Sequence, residues 1–286
     1  MELTADDIAA HPALPAILRR QAQAMQQQYE ANPRLSSVFA TQQRWLMAHV
    51  GFALYFRLDR AAEHSGLTAS RFFDVIGAHG VASRNTADAF LKEMLKYNFV
   101  QYGVAGKDKR VRPMAPTQPS LDALFGWFVA HLSTLDTLDG GQRSQTFMTD
   151  TGALARIEPL IADGLLSSHP VREPGQTFSL FTWLNNGGVV MDWLISSIEE
   201  VDADADRIPT GVLSVADMAN WLKLSRTHLA RKLRAAEQLG SLGWQGKRGH
   251  SVMWVSKGFW HEFVQAQAAK LAVIEAAFVA GFPRAG

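Results

Sequence analysis

Arg226, Thr227 and His228 directly follow Ser225, and Arg231 and Lys232 come one helical turn later. At that spacing they point away from Leu229 and Leu233, which take the inward positions. Guanidinium, ammonium, hydroxyl and imidazole groups so placed donate to phosphates and to base edges in a major groove. A sparser set stands earlier in the chain: Arg84 and Asn85 follow Ser83, with Lys92 farther along. Arginine there can grip guanine O6/N7, and asparagine can grip adenine N6/N7. Beyond each set lies a short basic tip, Lys107, Lys109 and Arg110 in the first case and Lys247 with Arg248 in the second.

Catalytic chemistry has little to stand on. The chain has no cysteine, which excludes disulfides, Cys-ligated zinc, iron–sulfur clusters and thiol catalysis. Nine histidines are present, but none in His-x-x-x-His or His-Glu-x-x-His spacing. Gly-x-Gly-x-x-Gly, Walker-type and Gly-x-Ser-x-Gly signatures do not occur. The acids Glu199, Glu200, Asp202, Asp204 and Asp206 lack the glycine and terminal glutamate of a calcium loop and read as a solvated connector. The expectation is a protein that is not an enzyme and has no metal and no cofactor.

The elements that must position the basic sets follow from periodicity and caps. Thr68 caps a short helix to His79, a turn runs through Gly80-Val81-Ala82, and Ser83 caps Arg84 to Tyr97. Strand-like runs Phe99 to Val104 and from Val111 flank the first basic tip. In the second half Ser214 caps Val215 to Leu222, Lys223-Leu224 turns, and Ser225 caps Arg226 to Leu239. Leu242 to Gln245 and Ser251 to Val255 then flank Gly246-Lys247-Arg248-Gly249. Each set thus falls in a helix–turn–helix followed by a hairpin. Ala219 is the small residue at the helix crossing and Leu224 the buried turn residue. Gly77 and Ala82, with Ser83, Ala87 and Leu91, are expected in the same roles in the first half. Lys223 stands where a turn glycine is usual, tolerable if it adopts positive φ.

The halves align at a shift of 142, close to half the length of this 286-residue chain. Ser83-Arg84-Asn85-Thr86 falls on Ser225-Arg226-Thr227-His228, Ile76 on Met218, Leu91 on Leu233 and Tyr102 on Trp244. Leu35 to Phe39 resembles Phe178 to Phe181 one residue out of that register. The predicted architecture is mostly α with small β-hairpin wings: two winged helix-turn-helix domains, residues 1–138 and 139–286, related by internal duplication and a pseudo-twofold axis. Leu138 to Asp150, rich in Gly, Ser, Thr and Asp, reads as the linker.

Residues 36–135 resemble the multiple-antibiotic-resistance regulator (MarR) family of winged helix-turn-helix proteins. The resemblance rests on Ser83-Arg84-Asn85-Thr86, on Asp108-Lys109-Arg110 at the wing, and on the exit through Pro116-Thr117 into a helix. It departs at that exit, where Pro116-Thr117-Gln118-Pro119 replaces Leu-Thr-x-x-Gly. The second half is similar to winged helices in general. The resemblance implies transcriptional regulation by sequence-specific binding to double-stranded DNA, by a chain that serves as its own pseudo-dimer. Pairing of two chains is compatible with it.

Charge is distributed accordingly. The chain carries 28 Lys+Arg against 27 Asp+Glu, a net +1. Eight Lys/Arg and one acid lie between Lys223 and Lys257, and seven Lys/Arg and three acids between Arg84 and Arg112. Positive charge is therefore concentrated in the two units. Trp45, Trp127, Trp183 and Trp193 lie outside them, as core packing or as the lining of a pocket for a small apolar effector at the junction of the halves. His49 reads as a satisfied core or interface residue, and His228 and His250 as exposed or phosphate-contacting. The most apolar stretch, Val189 to Ile198, is shorter than the roughly 20 residues of a membrane span, and no secretory signal is visible. A cytoplasmic protein without membrane contact is expected. Two other functions fit the same elements: a replication-initiator-like DNA-binding protein, and a winged-helix scaffold for protein–protein interaction.

Overall fold

Side-chain caps set the helix starts. Thr68, Ser83, Ser214, Ser225 and Ser256 each accept a hydrogen bond from the backbone N–H three residues on, satisfying one of the orphan donors of a first turn. The computed structural model describes residues 2–31, 33, 41–58, 66–103, 112–182, 187–199, 205–211 and 214–283. Over these the protein is mostly helical, with two small antiparallel strand groups.

The first run of elements is α1 (Ala5–Ala10), α2 (Leu14–Ala31), α3 (Gln42–Phe56), α4 (Ala69–Ala78), α5 (Arg84–Lys96), β1 (Val100–Tyr102), β2 (Met114–Pro116) and α6 (Gln118–Asp139). The second is α7 (Arg143–Thr149), α8 (Ala153–Ser167), α9 (His169–Arg172), α10 (Gln176–Thr182), α11 (Gly187–Ser196), β3 (Arg207–Pro209), α12 (Val215–Trp221), α13 (Arg226–Gln238), β4 (Leu242–Trp244), β5 (Met253–Ser256) and α14 (Lys257–Gly281). β1 pairs with β2, Val100 opposite Pro116. β5 lies between β3 and β4, with Val255 opposite both Ile208 and Leu242.

The packing is reciprocal. α2 lies against α11, and α8 lies against α3. α1 packs on α14, and α7 packs on α6. Each run thus places its opening helices on later helices of the other. The apolar faces explain this: Leu14, Ile17, Leu18 and Ala22 of α2 are buried, as are Val190, Met191, Leu194 and Ile195 of α11. Ile157, Ile161 and Leu165 of α8 meet a core that includes Leu46, Met47 and Val50 of α3. α14 has 25 residues and a window of mean hydropathy 1.4, long and apolar enough to cross a membrane by length and composition; half of that window is buried in this fold. It is a longer apolar helix than the Val189 to Ile198 stretch to which the sequence draws attention.

Residues 138–150 do not form a linker. α6 continues to Asp139, Gly140 turns at φ 74°, and α7 follows. Composition misleads here because Arg143 and Phe147 are buried. Arg143 Nε donates to Glu275 Oε2 at 2.6 Å and Nη2 to Asp139 Oδ2 at 2.7 Å, so a charge-assisted hub ties α6, α7 and α14 together. The bonds from Arg143 hold the Asp139 carboxyl below its usual range. The acidic connector likewise ends in structure, since Arg207–Pro209 is a strand.

Candidate nucleic-acid interface

The second unit is built from α12, α13 and the β3-β5-β4 sheet. Met218 and Ala219 of α12 are buried, and so are Leu229, Leu233 and Ala236 of α13. Between the helices, Lys223 takes φ 53°, Leu224 N–H returns to Ala219 C=O at 2.9 Å, and Leu224 packs against the core. With those apolar residues inward, Arg226, Thr227, His228, Arg231 and Arg234 are exposed and Lys232 is half-buried. Arg234 belongs to this face although the spacing argument singles out only the first turns; its i+3 relation to Arg231 is the signal.

The hairpin tip is shaped by its own bonds. Gly249 has φ 74°, His250 N–H donates to Lys247 C=O at 3.0 Å, and Gly246 N–H donates to Ser251 Oγ at 2.9 Å. Lys247 and Arg248 are exposed there. Arg248 lies over Trp244 and donates to Glu237 at 3.1 Å, so part of its charge is spent internally. Trp254 covers Gly243 across the strand pair: a Cβ on Gly243 would meet the indole at 2.5 Å. Arg207, on the strand missing from the sequence reading, lies over the same Trp254.

The first unit repeats this plan with smaller parts. α5 and α13 both have 13 residues, both follow a serine cap, and both end on a positive-φ residue, Asn98 at 57° and Gly240 at 70°. β1 and β4 start 142 residues apart. The turn, however, is one residue longer. Gly80 takes the place of Lys223 with φ 59°, and Val81 N–H returns to Ile76 C=O at 3.0 Å. Val81 therefore has the role of Leu224, and Ile76 that of Ala219. Gly77 and Ala82 do not have those roles: Gly77 is exposed, with open space where its Cβ would be. A third strand is reduced to one bond, Met114 N–H to Leu67 C=O at 2.9 Å.

The cations of the first unit are more engaged. Arg84 lies over the Phe73 ring, and Lys92 pairs with Asp88 at 2.7 Å. Glu93 holds Arg44 at 2.9 Å. Asn85 is exposed. Lys107, Lys109 and Arg110 lie outside the described residues, as do Trp183, the Leu35 to Phe39 segment, and Glu200, Asp202 and Asp204. Arg112, stacked on the exposed ring of Tyr102, marks the base of the first hairpin.

Between the halves, Trp45 and Trp127 flank His49, with ring centroids 5.0 and 5.1 Å away. His49 Nδ1 and Glu158 Oε1 are 2.8 Å apart, both buried, which joins α3 to α8. Burial pushes the Glu158 carboxyl up, against the pull of His49. His131 is fully buried. Its Nδ1 donates to Trp127 C=O at 2.8 Å and its Nε2 has no partner among the described residues; burial, aided by Lys270, holds its pKa well below the ordinary value of 6.5. Burial also raises Asp192 and lowers Lys270. Trp193 packs on Trp221 of the second unit, 4.6 Å between centroids.

No family model, curated protein or solved structure matches this chain.

Proposed function

We propose that the chain binds double-stranded DNA sequence-specifically, as a transcriptional regulator made of two winged helix-turn-helix units in one polypeptide. The observation that carries this reading is the face of α13. Arg226, Thr227, His228, Arg231 and Arg234 lie on one exposed side, backed by buried Leu229, Leu233 and Ala236, beside the Lys247–Arg248 hairpin. A helix of about that length fits a major groove with its first turn at the base edges, while a basic hairpin reaches the flanking backbone. The sheet order β3-β5-β4 is the one expected of a wing that returns between its partners.

Internal duplication is supported by the common order of elements and by the reciprocal packing of α2 on α11 and α8 on α3. Such an exchange is what a twofold dimer of intertwined subunits becomes when its two chains are joined. The unlike first turns, Arg84-Asn85 and Arg226-Thr227-His228, make the expected site asymmetric. Its two unlike half-sites lie about 10 bp apart, one helical turn.

Selection of bound sequences from a random duplex pool, followed by salt titration of the best site, tests this. If about 6–10 phosphates are contacted, affinity falls roughly 10³–10⁵-fold between about 50 and 200 mM salt. A flat salt response or a pool without enrichment refutes it. A perfect palindrome bound by two chains would replace the single-chain pseudo-dimer with a true dimer.

A further inference from the structure

The two halves are not equally tight. α8 and α14 press together at Gly164, where an added Cβ would stand 2.6 Å from Val273 Cγ1. The positions 139 residues earlier, in α2 and α6, hold Met25 and Thr134. There, with Thr134 among the lining residues, α2 and α6 border an open groove of about 500 Å³. That volume falls in the range of small-molecule sites.

The lining combines an apolar floor with a few polar groups. Ile17, Phe125, Val129 and Met148 form the floor, and Met148 is 51% exposed. Arg20 is the one charged group among the described lining residues, and no described residue pairs with it. Gln21 is 7% exposed, and its Oε1 has no hydrogen-bond partner among the described residues. Its Nε2 makes a long contact of 3.4 Å with Gln267 Oε1. The terminal torsion of glutamine is soft, so the carbonyl can turn toward a donor arriving in the groove. An unpaired buried carbonyl is costly, and a ligand N–H or O–H relieves that cost.

We propose that the α2–α6 groove binds a small amphipathic anion. Its apolar body lies on Phe125, Val129 and Met148, its anionic group meets Arg20, and an N–H or O–H donates to Gln21 Oε1. 8-Anilinonaphthalene-1-sulfonate has these three features and is the probe. Titrated into the full chain without nucleic acid, its fluorescence should saturate at one molecule per chain. Arg20→Ala should weaken binding about tenfold, the scale of one charge-assisted contact. Ser133→Trp, at an exposed lining position, should abolish it. The neutral analogue N-phenyl-1-naphthylamine should bind the unaltered chain more weakly than the sulfonate does, and Arg20→Ala should leave it unaffected. Non-saturating binding, or equal affinity in the parent and Arg20→Ala chains, overturns the proposal. Since Arg20 is exposed, that variant tests the site even if Ser133→Trp does not fold. No readout depends on DNA, so failure here is distinct from failure of the functional reading above.

Discussion

The first and second helix–turn–helix units share a backbone plan and differ in what they leave free on the surface. α5 carries Arg84, Lys92 and Lys96 against Asp88 and Glu93, and Arg84 and Lys92 are already engaged by Phe73 and Asp88. α13 carries Arg226, Arg231, Lys232 and Arg234 against a single acid, Glu237, which Arg248 engages. Surface pairs of this kind contribute little to stability. They do neutralise charge that a phosphate would otherwise meet. Both units thus present a helix in the same way, while among the described residues the free charge is concentrated in one.

The largest expected effect separates the units. Replacing Arg226, Arg231, Lys232 and Arg234 by Ala should lower the salt slope of DNA binding by about 3–4, one per lost phosphate contact. Replacing Arg84, Lys92 and Lys96 should lower it by about 1. Equal slopes measured by fluorescence anisotropy would break the comparison. Base readout sharpens it further: Arg226→Ala should cost ~1–3 kcal/mol on the selected site and much less on random duplex. Arg84→Ala should cost less, because the side chain must first leave the Phe73 ring.

The comparison extends to the helices behind the units. Positions 139 residues apart in α6 and α14 hold His131 and Lys270. Because burial depresses the His131 pKa, the unfolded chain takes up a proton there before the folded chain does. The stability His131 contributes is complete above about pH 6.5 and is lost as pH falls toward the depressed folded value. Relative to His131→Leu, the parent chain should lose stability as pH falls from 7 to 5 in chemical unfolding. A difference that is constant with pH would show that His131 titrates alike in the folded and unfolded chains.

The smallest effect is at the turns. Lys223 at φ 53° carries the strain that Gly80 at 59° avoids. Lys223→Gly should therefore stabilise the chain and Gly80→Ala destabilise it, each by about 1 kcal/mol in thermal unfolding. If both changes prove neutral, the two turns are not strained alike.

The second unit was readable because its signals are local. Ser225, Leu229 and Leu233 at four-residue spacing determine one helix face, and the remaining residues must then look outward. In the first unit the same local signals found α4 and α5 but not the register between them. Two small residues, Gly77 and Ala82, resembled a crossing and a turn residue, whereas Ile76 and Val81 make those contacts. β3 was hidden because a three-residue strand closing an acidic, proline-containing connector has no periodicity to show. α7 was hidden because Gly140-Gly141-Gln142 and the polar residues after it look like loop until Glu275, 132 residues away, is seen to hold Arg143. The reciprocal placement of α2 and α8 was beyond reach for the same reason: an amphipathic pattern says that a face will be buried, not against which partner.

That placement has a consequence for how the chain is made. α2 emerges from the ribosome early, yet the helix it lies on, α11, ends near residue 196. At roughly 5–20 residues per second, α2 waits on the order of ten to thirty seconds for its partner. During that interval the face of α2 that α11 later covers is without that partner. The first unit cannot finish folding on its own schedule, since α3 also awaits α8. Assembly is therefore a late event in synthesis, and a nascent chain halted between the two helices is the form most open to chaperones and to aggregation.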